Sequence, residues 1–189
     1  TWNGIDGQDG GADYYRGTLK YTHYFDLNED INTHDIYLEF KAVNASATVY
    51  LNDELVGKHD GGYSAFRFDI TKFVKPHELV VLVDNSENDR VYPQKADFTF
   101  YGGIYRDVNL LILDKDHFDY DYFGALPIKI DPVVLNNEGK VVVEAFTKSN
   151  KDIIVEIYDG DNNLIKTAKN KEEIIINNPH LWNGKKDPY

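Results

Sequence analysis

The side chains with most chemical potential cluster in one run, Asp97-Phe98-Thr99-Phe100-Tyr101-Gly102-Gly103-Ile104-Tyr105-Arg106-Asp107-Val108, with a second run, Gly61-Gly62-Tyr63, upstream. Asp97, ionised, can accept hydrogen bonds from two hydroxyls at once, and such charge-assisted bonds are the strong ones. On residue type alone it reads as a solvated loop carboxylate, as most aspartates are. Asn3, in the opening Trp2-Asn3, presents a donor and an acceptor in one amide. That pairing suits two adjacent hydroxyls, and an Asx-turn equally well. Arg106 and Asp107 invite reading as a pair, but neighbours on a strand point to opposite faces. Arg106 therefore reads as a brace for the loop bearing Asp97, and Asp107 as a contact to a neighbouring turn or domain. Arg16, in Tyr14-Tyr15-Arg16-Gly17, reads as a structural ion-pair partner.

Other chemistries find no support. The absence of cysteine removes disulfides, thiol catalysis and zinc–thiolate sites. His23, His34, His59, His77, His117 and His180 include no i,i+4 pair and no carboxylate at metal-ligand spacing. Ser46, Ser64, Ser86 and Ser149 lack an elbow motif for Ser/His/Asp hydrolysis. Gly61-Gly62 and Gly102-Gly103 read as tight turns and points of close backbone approach. No helix follows either pair in a strand–loop–helix unit, so neither reads as a nucleotide site.

The elements that must position these residues repeat with a period of two. After a Gly- and Asp-rich stretch over the first ~17 residues, Leu19, Tyr21, His23 and Phe25 alternate with polar neighbours. Ile36, Leu38 and Phe40 follow, then Ala47, Val49 and Leu51, then Phe66, Phe68 and Ile70. Leu79, Val81 and Val83 come next, and Asn109 to Leu113 close the series. Turn residues at Asn52-Asp53, Asp60-Gly61-Gly62, Pro76 and Asp84-Asn85 separate them, the mark of half-buried strands in a sandwich. Asp69 to Val74 reads as one short helical turn, capped by Asp69 and Thr71 and packed beneath by Phe73. A charged run at Asp114-Lys115-Asp116 divides the chain into domains over 1–114 and 117–189. In the second, Ile128/Ile130, Val141/Val143, Ile153/Val155/Ile157, Leu164-Ile165 and Ile174–Ile176 predict five short strands. An immunoglobulin-like sandwich needs about seven, so this domain is expected to lack its last ones.

Composition sets the class of partner. The 189 residues carry a net charge of −12, with 20 Lys+Arg among 32 Asp+Glu. No basic face is available for nucleic acid or an anionic membrane, whereas a neutral sugar tolerates an acidic protein. Aromatics reach 14%, chiefly 14 Tyr and 10 Phe, which favour strands and offer flat faces to sugars. No apolar run approaches a membrane span or a signal-peptide core. The lack of methionine predicts that the chain does not start at a native start codon. The lack of cysteine mildly favours a cytoplasmic compartment, with a periplasmic or secreted one as the alternative if a targeting segment lies upstream.

The two glycine-bearing runs, together with Trp2-Asn3 and Tyr14-Tyr15-Arg16-Gly17, resemble the N-terminal part of β-galactosidases of glycoside hydrolase family 2. Asn178-Pro179-His180-Leu181-Trp182 … Asp187-Pro188-Tyr189 resembles a stretch late in that family's second domain. The resemblance implies an all-β chain: a jelly-roll, galactose-binding-like sandwich followed by an immunoglobulin-like sandwich. It implies that Asp97 reaches from the first domain to contact sugar hydroxyls, with Asn3 beside it. The partners it implies are a galactoside and the remaining domains of the same polypeptide, with a homo-oligomer among the assemblies open to it. In some members the aspartate that Asp97 resembles also contacts an ion, so the resemblance leaves Mg²⁺ or Na⁺ open for the full-length enzyme and assigns no certain cofactor to this piece. The family's two catalytic carboxylates are glutamates of a (β/α)₈ barrel. No strand–helix alternation of that kind occurs here, so no residue of the chain is expected to be catalytic. Arg106-Asp107-Val108 is similar to the β-galactosidase form of the motif. The alternatives are a β-glucuronidase or a free-standing carbohydrate-binding module.

Overall fold

The computed structural model describes residues 15–73, 77–92, 101–121, 124–149, 151–182 and 184–185. Every regular element among them is a strand, and none of them forms a helix long and apolar enough to cross a membrane. The chain divides into two compact units, Thr1–Lys115 with Phe123–Ala125, and Asp116–Tyr122 with Leu126–Tyr189.

In unit 1, β1 (Thr18–Phe25), β4 (Ser46–Leu51), β5 (Glu54–Asp60) and β7 (His77–Asp84) form one antiparallel sheet in the order β1-β7-β4-β5. A second sheet takes the order β6-β2-β9, from β6 (Phe66–Asp69), β2 (His34–Phe40) and β9 (Val108–Asp114). Two-residue strands β3 (Val43–Asn44) and β8 (Gly103–Ile104) pair with each other. The alternation acts as expected in β4 and β7: Ala47, Val49, Leu51, Leu79, Val81 and Val83 all turn into the core. There they meet Ile36, Leu38 and Phe40 of the other sheet, with the Phe40 and Phe66 rings stacked at 4.8 Å. Full burial of each such side chain contributes roughly 1.5–3 kcal/mol. The β4–β5 hairpin closes through Asn52-Asp53, both left-handed (φ 49° and 64°). That is the type I′ pattern matching the natural twist of paired strands.

Three expectations change. Strand β2 is buried on both faces, with Tyr37 and Glu39 as inaccessible as their inward neighbours. It is the central strand of its sheet, and its outer face is covered. The segment from Asp69 is the single turn expected, with Phe73 in the core, but only one of its two expected caps serves it. Phe73 N–H donates to the Ile70 carbonyl (2.9 Å) and Asp69 Oδ1 accepts from Thr71 N–H (2.9 Å). The Thr71 hydroxyl is instead engaged by Ile36 N–H at 2.8 Å, which ties the turn to β2. Lastly, Arg106 and Asp107, expected as neighbours on a strand, both precede it, since β9 begins at Val108 after a bend at Arg106.

Unit 2 contains the five expected strands: β10 (Ile128–Leu135), β11 (Glu138–Ala145), β12 (Ile154–Tyr158), β13 (Leu164–Lys169) and β14 (Glu173–Asn177). They form sheets β10-β11-β14 and β12-β13. Asn136-Asn137 (φ 50° and 65°) closes the β10–β11 hairpin in the same way as Asn52-Asp53.

Candidate functional site

Two asparagines organise one end of unit 1. Asn85, 7% exposed, directly follows β7, whose register with β1 brings Asp84 opposite Thr18. Its side-chain Nδ2 donates to the Tyr15 carbonyl (3.1 Å) and its Oδ1 accepts from Gly17 N–H (2.9 Å). Its own N–H donates to the Gly17 carbonyl at 3.3 Å. A buried amide whose hydrogen bonds are met fixes its partners firmly, because leaving either unmet costs about 1–3 kcal/mol. Asn44, 9% exposed, ends β3 and donates from Nδ2 to the Tyr101 carbonyl (2.6 Å).

The glycine pairs fit closely against these amides. A β-carbon on Gly102 would lie 2.6 Å from Asn85 Cγ, and one on Gly62 would run into Asn44 Oδ1. Gly61 (φ 136°) and Gly103 (φ 122°) adopt backbone that side chains resist. The Tyr105 hydroxyl donates to the Gly62 carbonyl. The 15–17, 61–63 and 101–105 segments, far apart in sequence, are thus gathered at one place.

Asn3 and Asp97, the two expected sugar-binding residues, lie outside the described residues. Asp97 precedes Tyr101 by four positions and Asn3 precedes Tyr15 by twelve, so the asparagine cluster holds the chain on the side of each that leads into the sandwich. Arg106 sets its guanidinium 5.5 Å from the Tyr105 ring centre, a cation–π contact rather than an ion pair with Asp107. Asp107 is exposed, and its backbone carbonyl accepts from Lys41 N–H at 3.0 Å. Among the described residues no three His, Asp or Glu side chains converge as ligands for Mg²⁺ or Na⁺.

A second polar cluster lies on β2. Glu39, 2% exposed, accepts from Arg67 Nε (2.8 Å), Lys41 Nζ (2.8 Å) and Asn109 Nδ2 (3.1 Å). Arg67 also donates from Nη1 to the Gly124 and Ala125 carbonyls, at 3.1 and 3.3 Å. Burial pushes the Glu39 carboxyl up, but the hydrogen bonds from Lys41, Asn109 and Arg67 outweigh it and hold the group below the ordinary 4.5. Every acceptor position of Glu39 that these contacts use serves the fold, so this carboxylate reads as a brace.

His59 stacks on Phe66 at 4.1 Å and lies 3.2 Å from the Ser64 hydroxyl. Burial holds it below the ordinary 6.5, outweighing the neighbouring Asp60 carboxylate. Both His59 and Glu39 are less basic folded than unfolded, so each contributes stability that is lost as protons bind. For His59 the loss begins below about pH 6.5, and for Glu39 below about 4.5. The urea midpoint of the chain should therefore fall in two steps on acidification. His59→Phe, which keeps the ring stack, should remove the first step and spare the second. A midpoint constant from pH 7.5 to 5.5 in the parent chain would contradict this assignment.

Comparison with known proteins decides the family. Residues 5–114 match the glycosyl hydrolases family 2, sugar binding domain. The chain belongs to glycosyl hydrolase family 2. The family 2 chain is 34% identical to a β-glucuronidase of Bacteroides fragilis, over its full length and 30% of the relative's. It is 29% identical to a β-galactosidase of Thermoanaerobacter pseudethanolicus, over 89% of the chain and 24% of the relative. Its structure resembles that of a putative β-galactosidase from Bacteroides fragilis with a TM-score of 0.79 at 27% identity, covering 95% of this chain and 30% of the other. The family 2 chain spans less than a third of the length of these curated relatives.

Sequence reasoning missed Asn44, Asn85 and Glu39 as organising residues. Asn85 sits in Asp84-Asn85, which reads as an ordinary turn, and Glu39 occupies an outward position of an alternating strand. One signal was available for Asn44: the small polar run Asn44-Ala45-Ser46 interrupts two apolar stretches without a glycine or proline.

Proposed function

We propose that the polypeptide to which this chain belongs is a retaining β-glycosidase acting on terminal β-galactosides. This chain shapes the sugar end of its site and supports a catalytic barrel. The match of residues 5–114 to a family 2 sugar binding domain carries the reading. The Arg106-Asp107-Val108 form of the motif favours galactose. Asp97 and Asn3 contact the sugar hydroxyls, and the acid/base and nucleophile come from carboxylates outside this chain, about 5 Å apart as retention requires. A β-glucuronide is the second reading, favoured by the 34% identity to a β-glucuronidase.

The test sets the full-length protein against aryl β-galactoside and aryl β-glucuronide in parallel. Preferential turnover of the galactoside is expected, with the β-anomer of the sugar as first product. Preference for the glucuronide would select the second reading, and turnover of neither would overturn both. The 189-residue chain alone should show no turnover above buffer. A sustained rate from it, abolished by one substitution within it, would place the catalytic groups here and refute the division of labour.

A further inference from the structure

We infer that the outer face of the sheet β1-β7-β4-β5 carries a binding site for a neutral saccharide, in a hollow lined by Leu82, Thr48, Asp60, Asp84, Lys58 and Arg90. The site is built from described residues alone, without Asn3 or Asp97, and does not depend on the proposed function.

Strand register assembles it. The alternation that turns Ala47, Val81 and Val83 into the core sends their neighbours outward. The four strands align Thr18, Asp84, Ser46 and Asp60 in one row across the sheet, and Lys20, Leu82, Thr48 and Lys58 in the next. Along the first row hydroxyl and carboxylate alternate and hold each other. Thr18 Oγ1 donates to Asp84 Oδ2 (3.2 Å), and Ser46 Oγ donates to Asp60 Oδ1 (2.6 Å).

The chain leaving β7 then closes one side. Ser86 N–H donates to Asp84 Oδ1 (2.7 Å), and Asn88 Oδ1 accepts from the N–H groups of Arg90 and Val91 (3.0 and 3.2 Å). This knit turn brings the Arg90 side chain across to the end of β5, where Nε donates to Asp60 Oδ2 at 2.9 Å. The hollow so formed measures about 460 Å³, within the range of about 300–1,000 Å³ for small-ligand pockets.

Its chemistry selects the ligand. Hydrogen bonds from Ser46 to Asp60 and from Ser86 to Asp84 hold both carboxyls below the ordinary 3.8, so both are ionised at neutral pH. Lys58 and Arg90 balance these two charges. An anion would meet two carboxylates here. A metal ion would find only carboxylates already engaged, and among the described residues no three acidic or histidine side chains converge. Leu82 and Ala47 offer too little apolar surface for a lipid or an aromatic ligand. A polyol uses what is present. Its hydroxyls donate to the carboxylates and accept from Lys58 and Arg90 in charge-assisted bonds, and the C–H face of a pyranose ring packs on Leu82.

Calorimetry and amide NMR of the 189-residue chain with galactose, glucose, lactose and cellobiose test this. At least one sugar should bind with a Kd of about 1–10 mM, as expected of a few hydrogen bonds in an open site. The amides that shift should be those of 46–48, 58–60 and 82–84. Thr48→Tyr, which fills the hollow with a side chain that strands favour, should abolish the binding. Lys58→Ala and Asp60→Asn should each weaken it by about threefold to tenfold, and Asp97→Asn should leave it unchanged.

Should Thr48→Tyr fail to fold, Lys58→Ala decides in its place, since that side chain is exposed and its loss should not move the melting temperature. Absence of binding by all four sugars overturns the proposal. Binding that survives both Thr48→Tyr and Lys58→Ala but is lost with Asp97→Asn puts the sugar elsewhere and overturns it too. Tighter binding of calcium or inorganic phosphate in the same hollow would refute its assignment to a neutral ligand.

Discussion

Glu39→Ala should destabilise the chain by about 3–5 kcal/mol, the expected cost of removing one partner from a buried ion pair. The loss arises less from Glu39 than from what remains. The Arg67 guanidinium, with a side chain 8% exposed, would stay buried with its carboxylate gone. Lys41, with a side chain 44% exposed, can turn to water, so Lys41→Ala should cost no more than about 1 kcal/mol. Replacing both buried partners, as in Glu39→Leu with Arg67→Met, should recover much of the loss, because desolvation is then relieved on both sides. Urea unfolding of the four proteins measures this. A Glu39→Ala loss under about 1 kcal/mol would show that the cluster is hydrated and that β2 is not sealed on its outer face.

On the proposed role of Asp97 as a sugar contact, Asp97→Asn in the full-length protein should reduce kcat/KM by about tenfold to a hundredfold, equivalent to the roughly 1.5–3 kcal/mol of a charge-assisted hydrogen bond. The substitution keeps the size of the side chain and removes its charge, so folding should change little while the proposed charge-assisted bond to the sugar is lost. Asp107→Asn is the control. Its carboxylate is exposed and the described contact of the residue is made by its backbone carbonyl, so neither kinetics nor melting should move. Intact kinetics with a lowered melting temperature for Asp97→Asn would make Asp97 a loop brace and end its assignment to the site.

These predictions differ in how readily their residues were legible. Strands β4 and β7 could be read at once, because Ala47, Val49, Leu51, Leu79, Val81 and Val83 alternate strictly and one face of each is buried. The paired turns Asn52-Asp53 and Asn136-Asn137 were legible for an equally local reason, the tolerance of asparagine and aspartate for left-handed backbone. Glu39 was not, because alternation marks which residues face the core and says nothing of what covers the other side. Asn85 was not, because its partners are 68 and 70 positions away. A buried polar residue is identified by its partners, and distant partners leave no periodic trace. The second cap of the turn after Asp69 was misassigned for a related reason. Thr71 was weighed as a local cap, and its hydroxyl is engaged by the Ile36 backbone 35 positions away.

The pairing of strands also bears on how the protein is made. Strand β4 meets β5 across a two-residue turn, so that hairpin can close soon after it leaves the ribosome, on the microsecond scale of hairpin formation. Strand β2, however, takes one of its two neighbours from β9, with His34 opposite Asp114. At about 5–20 residues per second, the 70-odd residues between them occupy several seconds of translation. Throughout that interval Ile36, Leu38 and Phe40 have emerged without the strand that completes their sheet. The nascent chain is then a client for chaperones that shield apolar segments, and slower elongation before β9 would prolong its dependence on them.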